Sequence, residues 1–260
     1  MKKPLAFCAA FMLLVSVAGA VTAQSTDRSI RTESITYTIG DQEFVGFLAY
    51  DAASREMRPG VIVVHEWRGI DDYARRRAVD LANEGYVAFA LDMYGDGRTV
   101  SQAQARTMSG QVGSDFPLIR RRFNAALQVL RDAPFVDPER IAAIGYCFGG
   151  GIVLNMARMG STIDGVVSFH GSLNTGLTAG RGDVTTRVLA IQGDQDPVAP
   201  AERQQAFIDE MNSADAEFSY IIFGNLAAHN FTNPDGRSYH RTEADLAWAA
   251  MLSFFDSIFE

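Results

Sequence analysis

Apolar and polar positions alternate along Glu33-Ser34-Ile35-Thr36-Tyr37-Thr38-Ile39. A period of two predicts a strand with one buried face. Gly40-Asp41-Gln42 supplies a turn and residues 43–50 form a second strand, so a hairpin opens the ordered chain. The pattern then changes. Residues 60–65 form a continuous apolar run, as expected of a parallel strand covered on both faces. Residues 73–84 read as a helix that stops at Gly85, a C-cap signal. Residues 86–91 are the next strand. Residues 101–131 are helical with a break near residues 110–117. Further strands are expected at 141–146, 163–169, 187–192 and 217–223, and helices at 200–211 and 241–259. This alternation predicts a doubly wound, mostly parallel sheet with helices on both faces and an N-terminal β-hairpin. No repeat or low-complexity linker interrupts it, so residues 24–260 are expected to form a single domain.

The first residues follow a different pattern. Met1-Lys2-Lys3 is positive, residues 5–20 are apolar, and Val21-Thr22-Ala23 precedes Gln24. Those features predict a signal peptide over residues 1–23, cut after Ala23, and an exported, periplasmic or secreted protein. The apolar run is short for a membrane anchor, so no stable span is expected after signal removal. The chain has two cysteines, Cys8 and Cys147. Cleavage would leave Cys147 unpaired, and an unpaired cysteine in an exported protein flags a reactive thiol. The net charge is −8. It becomes more negative once Lys2 and Lys3 leave, which argues against nucleic acid and anionic membrane as partners. No pattern in the chain specifies an oligomeric state.

Candidate chemistry gathers where strands end, as it does in open parallel sheets. The hexapeptide Gly145-Tyr146-Cys147-Phe148-Gly149-Gly150 lies between the strand at 141–146 and a helical stretch at 151–158. Strand, Gly-x-Cys-x-Gly, helix is a nucleophile elbow with cysteine in the serine position, the mark of an α/β-hydrolase fold. The alternative, a small buried apolar cysteine, does not account for the flanking glycines. A helix N-terminus behind the thiol favours the thiolate.

A cysteine nucleophile needs a base. In that fold the histidine comes last in chain order and the acid precedes it. His229, in the loop after the strand at 217–223, fits; His240 reads as the start of the final helix. Gly193-Asp194-Gln195-Asp196-Pro197 supplies the acid. Asp194 suits turn chemistry, which leaves Asp196 to orient the imidazole. Glu66, in His65-Glu66-Trp67-Arg68-Gly69, is a carboxylate at an apolar strand end. Such a group is functional or paired, the paired alternative being Arg68 or one of Arg75, Arg76 and Arg77.

His-Glu-x-x-Gly at residues 65–69, Asp92-x-Tyr94-Gly95, Gly-Tyr-Cys-Phe-Gly-Gly, Gly-x-x-Asp-Pro and Ala228-His229-x-Phe231 together resemble the dienelactone hydrolase family, over roughly residues 33–255. The resemblance implies an ester or lactone hydrolase with a triad of Cys147, Asp196 and His229. It implies that Glu66 contacts the thiol and modulates its ionisation. It also implies an oxyanion hole from the backbone N–H groups of Trp67 and Phe148, which a tetrahedral intermediate requires in any case.

Family members hold a substrate carboxylate with an arginine soon after the histidine. Here none occurs before Arg237, and Arg98 is the candidate substitute. Tyr94 and His170 are further candidates for substrate binding, His170 having a hydrogen-bonded structural role as its alternative. The substrate is expected to be a small-molecule ester or lactone, with a broader carboxylesterase or thioesterase as the second reading. A non-catalytic binding pocket is the third, and the full set of catalytic groups argues against it. No metal-ligand spacing or phosphate loop is evident, so no cofactor is expected.

Overall fold

The computed structural model describes residues 28–260 apart from Ala227. The expected signal peptide lies outside the described residues. The chain forms one eight-stranded sheet in the order β1-β2-β4-β3-β5-β6-β7-β8. Here β1 is Ile30–Ile39, β2 Gln42–Asp51, β3 Arg58–Val64, β4 Val87–Leu91, β5 Val136–Tyr146, β6 Gly165–Phe169, β7 Arg187–Gly193 and β8 Phe218–Phe223. The hairpin β1–β2 is antiparallel and joins β4 antiparallel; every other pairing is parallel. The doubly wound expectation holds.

Helices α1 (Asp72–Glu84), α2 (Gln102–Ser114), α3 (Phe116–Arg131), α4 (Phe148–Arg158), α5 (Ala201–Ser213) and α6 (Arg241–Phe259) cover the sheet. Two apolar clusters result, one on each face. Residues from α2, α3, α4 and α5 pack on one side, and residues from α1 and α6 on the other. This explains why β3, β4 and β6 read as unbroken apolar runs rather than as alternations. Among the described residues no helix is long and apolar enough to cross a membrane.

Three boundaries differ in detail from the sequence pattern. The break in the long helical stretch is one residue, Asp115, which ends α2 and caps α3 by accepting from the Leu118 N–H at 2.9 Å. Pro117 follows within the first turn of α3, where a missing N–H costs nothing. Strand β5 starts earlier than expected, because Val136 and Asp137 pair with Arg58 and Pro59 before a register shift. Strand β6 starts later, at Gly165 rather than residue 163.

Candidate active site

The carboxyl ends of β3, β5, β7 and β8 bring the candidate groups together. Cys147 stands between β5 and α4 with φ 52° and ψ −112°, a strained conformation for an L residue. The fold fixes it from both sides. Its N–H donates to the Phe169 carbonyl at 3.0 Å, and its carbonyl accepts from Gly151 at 3.3 Å. The elbow closes because two glycines lack side chains. A Cβ at Gly145 would stand 2.1 Å from the Gly149 carbonyl oxygen, and one at Gly149 would stand 2.2 Å from that of Val64. The half-buried thiol opens onto a cavity of about 490 Å³ whose wall includes Trp67, Arg106, Phe148, Asn155 and His229.

His229 Nε2 lies 3.0 Å from Cys147 Sγ. Its Nδ1 lies 2.9 Å and 3.2 Å from the two oxygens of Asp196. Asp196 is buried and follows β7. One of its oxygens also accepts from the Val198 N–H at 2.8 Å. Burial opposes a charged imidazole, but the hydrogen bonds and charges of Asp196 and Cys147 outweigh it and push His229 up to about 10. Asp194 caps the turn instead, accepting from the Leu226 N–H at 2.9 Å. His240 is the N-cap residue of α6.

Glu66 is buried, and its Oε2 accepts from Asn233 Nδ2 at 3.3 Å. Burial, then the charge of Asp71, push it up to about 7 against the opposing pull of Asn233, His229 and Arg77. Neither expected partner is its hydrogen-bond partner among the described residues. Arg68 donates to the Val100 carbonyl, Arg76 and Arg77 pair with Asp235 and Asp80, and the thiol faces His229. Arg75 stacks over Phe47.

Trp67 and Phe148 both line the cavity beside Cys147. Neither backbone N–H donates to an acceptor among the described residues. The Trp67 peptide is braced from behind. Met93 N–H donates to His65 Nε2 at 3.2 Å, so the His65 proton sits on Nδ1, which donates to the Glu66 carbonyl. Burial holds this imidazole below its ordinary range, which keeps it neutral.

The three residues expected to bind substrate lie off the cavity wall. Tyr94 is buried and its hydroxyl donates to the Trp67 carbonyl at 2.8 Å. Arg98 pairs with Asp96 at 2.8 Å on the surface. His170 lies beneath His229, ring centroids 5.2 Å apart, with Nε2 bonded to Thr232 Oγ1 at 2.8 Å. Burial and then the charge of His229 hold it well below its ordinary range. The arginine that does reach the cavity is Arg106, from α2. No motif marked it, since the helical pattern around it is weakly amphipathic.

Fold and site together define an α/β-hydrolase. MGS-M1, an α/β-hydrolase from a Medee basin deep-sea metagenome library, shares the fold with a TM-score of 0.66 at 17% identity, over 89% of this chain and 98% of that one. The profile of the dienelactone hydrolase family matches residues 44–259, and the chain belongs to that family. P91, described as a dienelactone hydrolase-like promiscuous phosphotriesterase from metagenomic libraries, has a TM-score of 0.82 at 32% identity, covering 88% of this chain and 98% of its own. A Salmonella typhimurium protein named "Putative carboxymethylenebutenolidase" is 27% identical over 222 residues, 80% of this chain and 81% of that one. The chain is thus a hydrolase of the ester and lactone class.

Proposed function

We propose that this protein hydrolyses a carboxylic ester or lactone through Cys147, His229 and Asp196, by way of a thioester acyl-enzyme. The carrying observation is the unbroken line from the buried Asp196 carboxylate through both nitrogens of His229 to the Cys147 sulfur. Once the thiol proton has passed to His229, an imidazole pushed up to about 10 by those two neighbours, the reacting pair is thiolate and imidazolium.

From that pair the steps balance. Cys147 Sγ attacks the carbonyl carbon, and the carbonyl electrons move onto oxygen. The backbone N–H groups of Trp67 and Phe148 receive that charge, a contribution of about 3 kcal/mol per donor in comparable sites. The tetrahedral centre collapses, the C–O bond breaks, and imidazolium gives its proton to the leaving alkoxide. Water then loses a proton to neutral His229 and attacks the thioester. The C–S bond breaks, releasing the acid and restoring thiolate and imidazolium. Asp196 positions the ring and favours its charged form throughout. Glu66, near its midpoint at neutral pH, tunes the charge around the pair from behind rather than by touching the sulfur.

The reading extends to a range of esters and thioesters beside lactones: the cavity is about 490 Å³, and the cation on its wall is Arg106, while Arg98 pairs with Asp96 and is not part of that wall. With the leader expected from the sequence at residues 1–23, the reading has this chemistry take place outside the cytoplasm, and fractionation of the full-length chain tests it. The deciding experiment is acid quench during turnover of a mixed ester, lactone and thioester panel. An acyl adduct on Cys147, and loss of turnover with retained fold in Cys147→Ala, are expected. Turnover retained by Cys147→Ala overturns the reading.

A further inference from the structure

Helix α4 carries a second polar group into the cavity. Asn155 is buried at 1% exposure yet forms part of the cavity wall. It stands two turns beyond Cys147, and positions 147, 151 and 155 share one helix face. Gly151, between them, also lines the cavity and has no side chain. The cavity wall therefore follows α4 from the thiol to Asn155, with Ser172 and Thr175 within van der Waals reach of Gly151.

Neighbours fix the orientation of that amide. Asn155 Oδ1 accepts from the Thr175 hydroxyl and from Arg158 Nη1 at 3.4 Å. Arg158 is itself held by two bonds to Glu210, each 2.8 Å, and donates to the Leu173 carbonyl at 2.7 Å. An amide end that accepts from two donors is the oxygen, so the other end is the NH₂ group. Nδ2 has no acceptor among the described residues. An acceptor arriving from the cavity would give that donor a partner. No carboxylate forms part of this cavity wall, and Arg106 on the facing helix is a donor without an ion pair among the described residues.

We propose that the Asn155 end of the cavity is a subsite for an acceptor oxygen on the substrate, borne by an arm that runs along α4, whose rise from position 147 to position 155 is about 12 Å. The proposal rests on the hydrolase reading and narrows it. The substrate is an ester or lactone with an extended arm ending in a keto, ether or carboxylate oxygen.

Two matched pairs of esters read this out. 4-Nitrophenyl octanoate against 4-nitrophenyl 7-oxooctanoate probes an acyl-side arm. Octyl acetate against 7-oxooctyl acetate probes an alcohol-side arm. Wild type should favour the oxo ester about tenfold in kcat/KM in one pair, as expected for one hydrogen bond. Asn155→Leu should abolish that preference. Asn155→Asp keeps the acceptor for Thr175 and Arg158 but removes the donor, so it should fold and lose the preference too. Gly151→Ala, which a helix favours, should lower the octanoyl esters relative to 4-nitrophenyl acetate by narrowing the corridor. An oxo preference absent from wild type in both pairs, or unchanged in Asn155→Asp, overturns the subsite. Absence of all ester turnover, or turnover that survives Cys147→Ala, overturns the hydrolase reading instead.

Discussion

The Tyr94 hydroxyl donates to the Trp67 carbonyl at 2.8 Å, and so ties the loop after β4 to the loop after β3. One peptide earlier, His65 holds the Glu66 carbonyl. In a trans peptide the C=O and N–H point in opposite directions. Holding the Glu66 carbonyl towards His65 therefore turns the Trp67 N–H away from it. Loss of an oxyanion donor costs about 10²–10³ in kcat. Tyr94→Phe removes a brace one step behind such a donor, so a smaller loss, about tenfold, is expected in kcat with KM little changed. Steady-state kinetics on one ester checks this. A change confined to KM would return Tyr94 to a substrate-binding role.

Glu66 makes stability depend on pH in the less common direction for a carboxyl group. Its native value of about 7 lies above its ordinary range, mainly through burial. The native state thus holds the proton more tightly than the unfolded chain does. Stability is greatest below the ordinary carboxylate range and falls as pH rises towards 7. The full effect is about 3 kcal/mol. Glu66→Gln keeps an acceptor for Asn233 and removes the ionisation. Urea melts should show the variant matching wild type at acidic pH and exceeding it at pH 8. Equal stability at both pH values would remove burial as the cause.

Much of this was legible in the chain, for physical reasons. Strand β3 was readable because both its faces are covered, which forces an apolar run. The elbow was readable because close approach at Gly145 and Gly149 excludes every larger residue. His229 followed from chain order. What the sequence did not display were contacts set by tertiary closure. Asn233, the partner of Glu66, lies 167 positions away and reads locally as a turn before Pro234. Arg98 sits at a strand end, where function gathers, but Asp96 captures its guanidinium. Arg106 and Asn155 lie outside any motif, and only the packing of α2 beside α4 brings them to one cavity.

The His229 midpoint should respond to Cys147. Burial lowers it, while Asp196 and Cys147 each raise it through a hydrogen bond and charge. Cys147→Ala removes one raising partner and leaves burial in place, so the midpoint must move down. NMR titration of the imidazole should find wild-type His229 protonated through neutral pH. The variant should titrate at lower pH. An unchanged midpoint would assign the raised value to Asp196 alone.

Gly149→Ala tests the elbow without touching a reacting group. The added Cβ would meet the Val64 carbonyl oxygen at 2.2 Å and the His65 carbonyl oxygen at 2.7 Å. Both are backbone atoms of the β3 end, so no side chain can swing away. Helix α4 must retreat from the sheet, and Cys147 and the Phe148 N–H move with its first turn. Overpacking of this kind costs about 1–3 kcal/mol, and contact with backbone puts the expected loss at the upper end. The helix preference for alanine over glycine returns about 1 kcal/mol and does not offset it. Retained ester turnover should fall at least tenfold, since displacing the thiol from His229 disrupts a geometry on which proximity effects depend steeply. Denaturant melts and kinetics on the same preparation check both effects. Stability and rate equal to wild type would show that α4 does not need to approach β3 this closely.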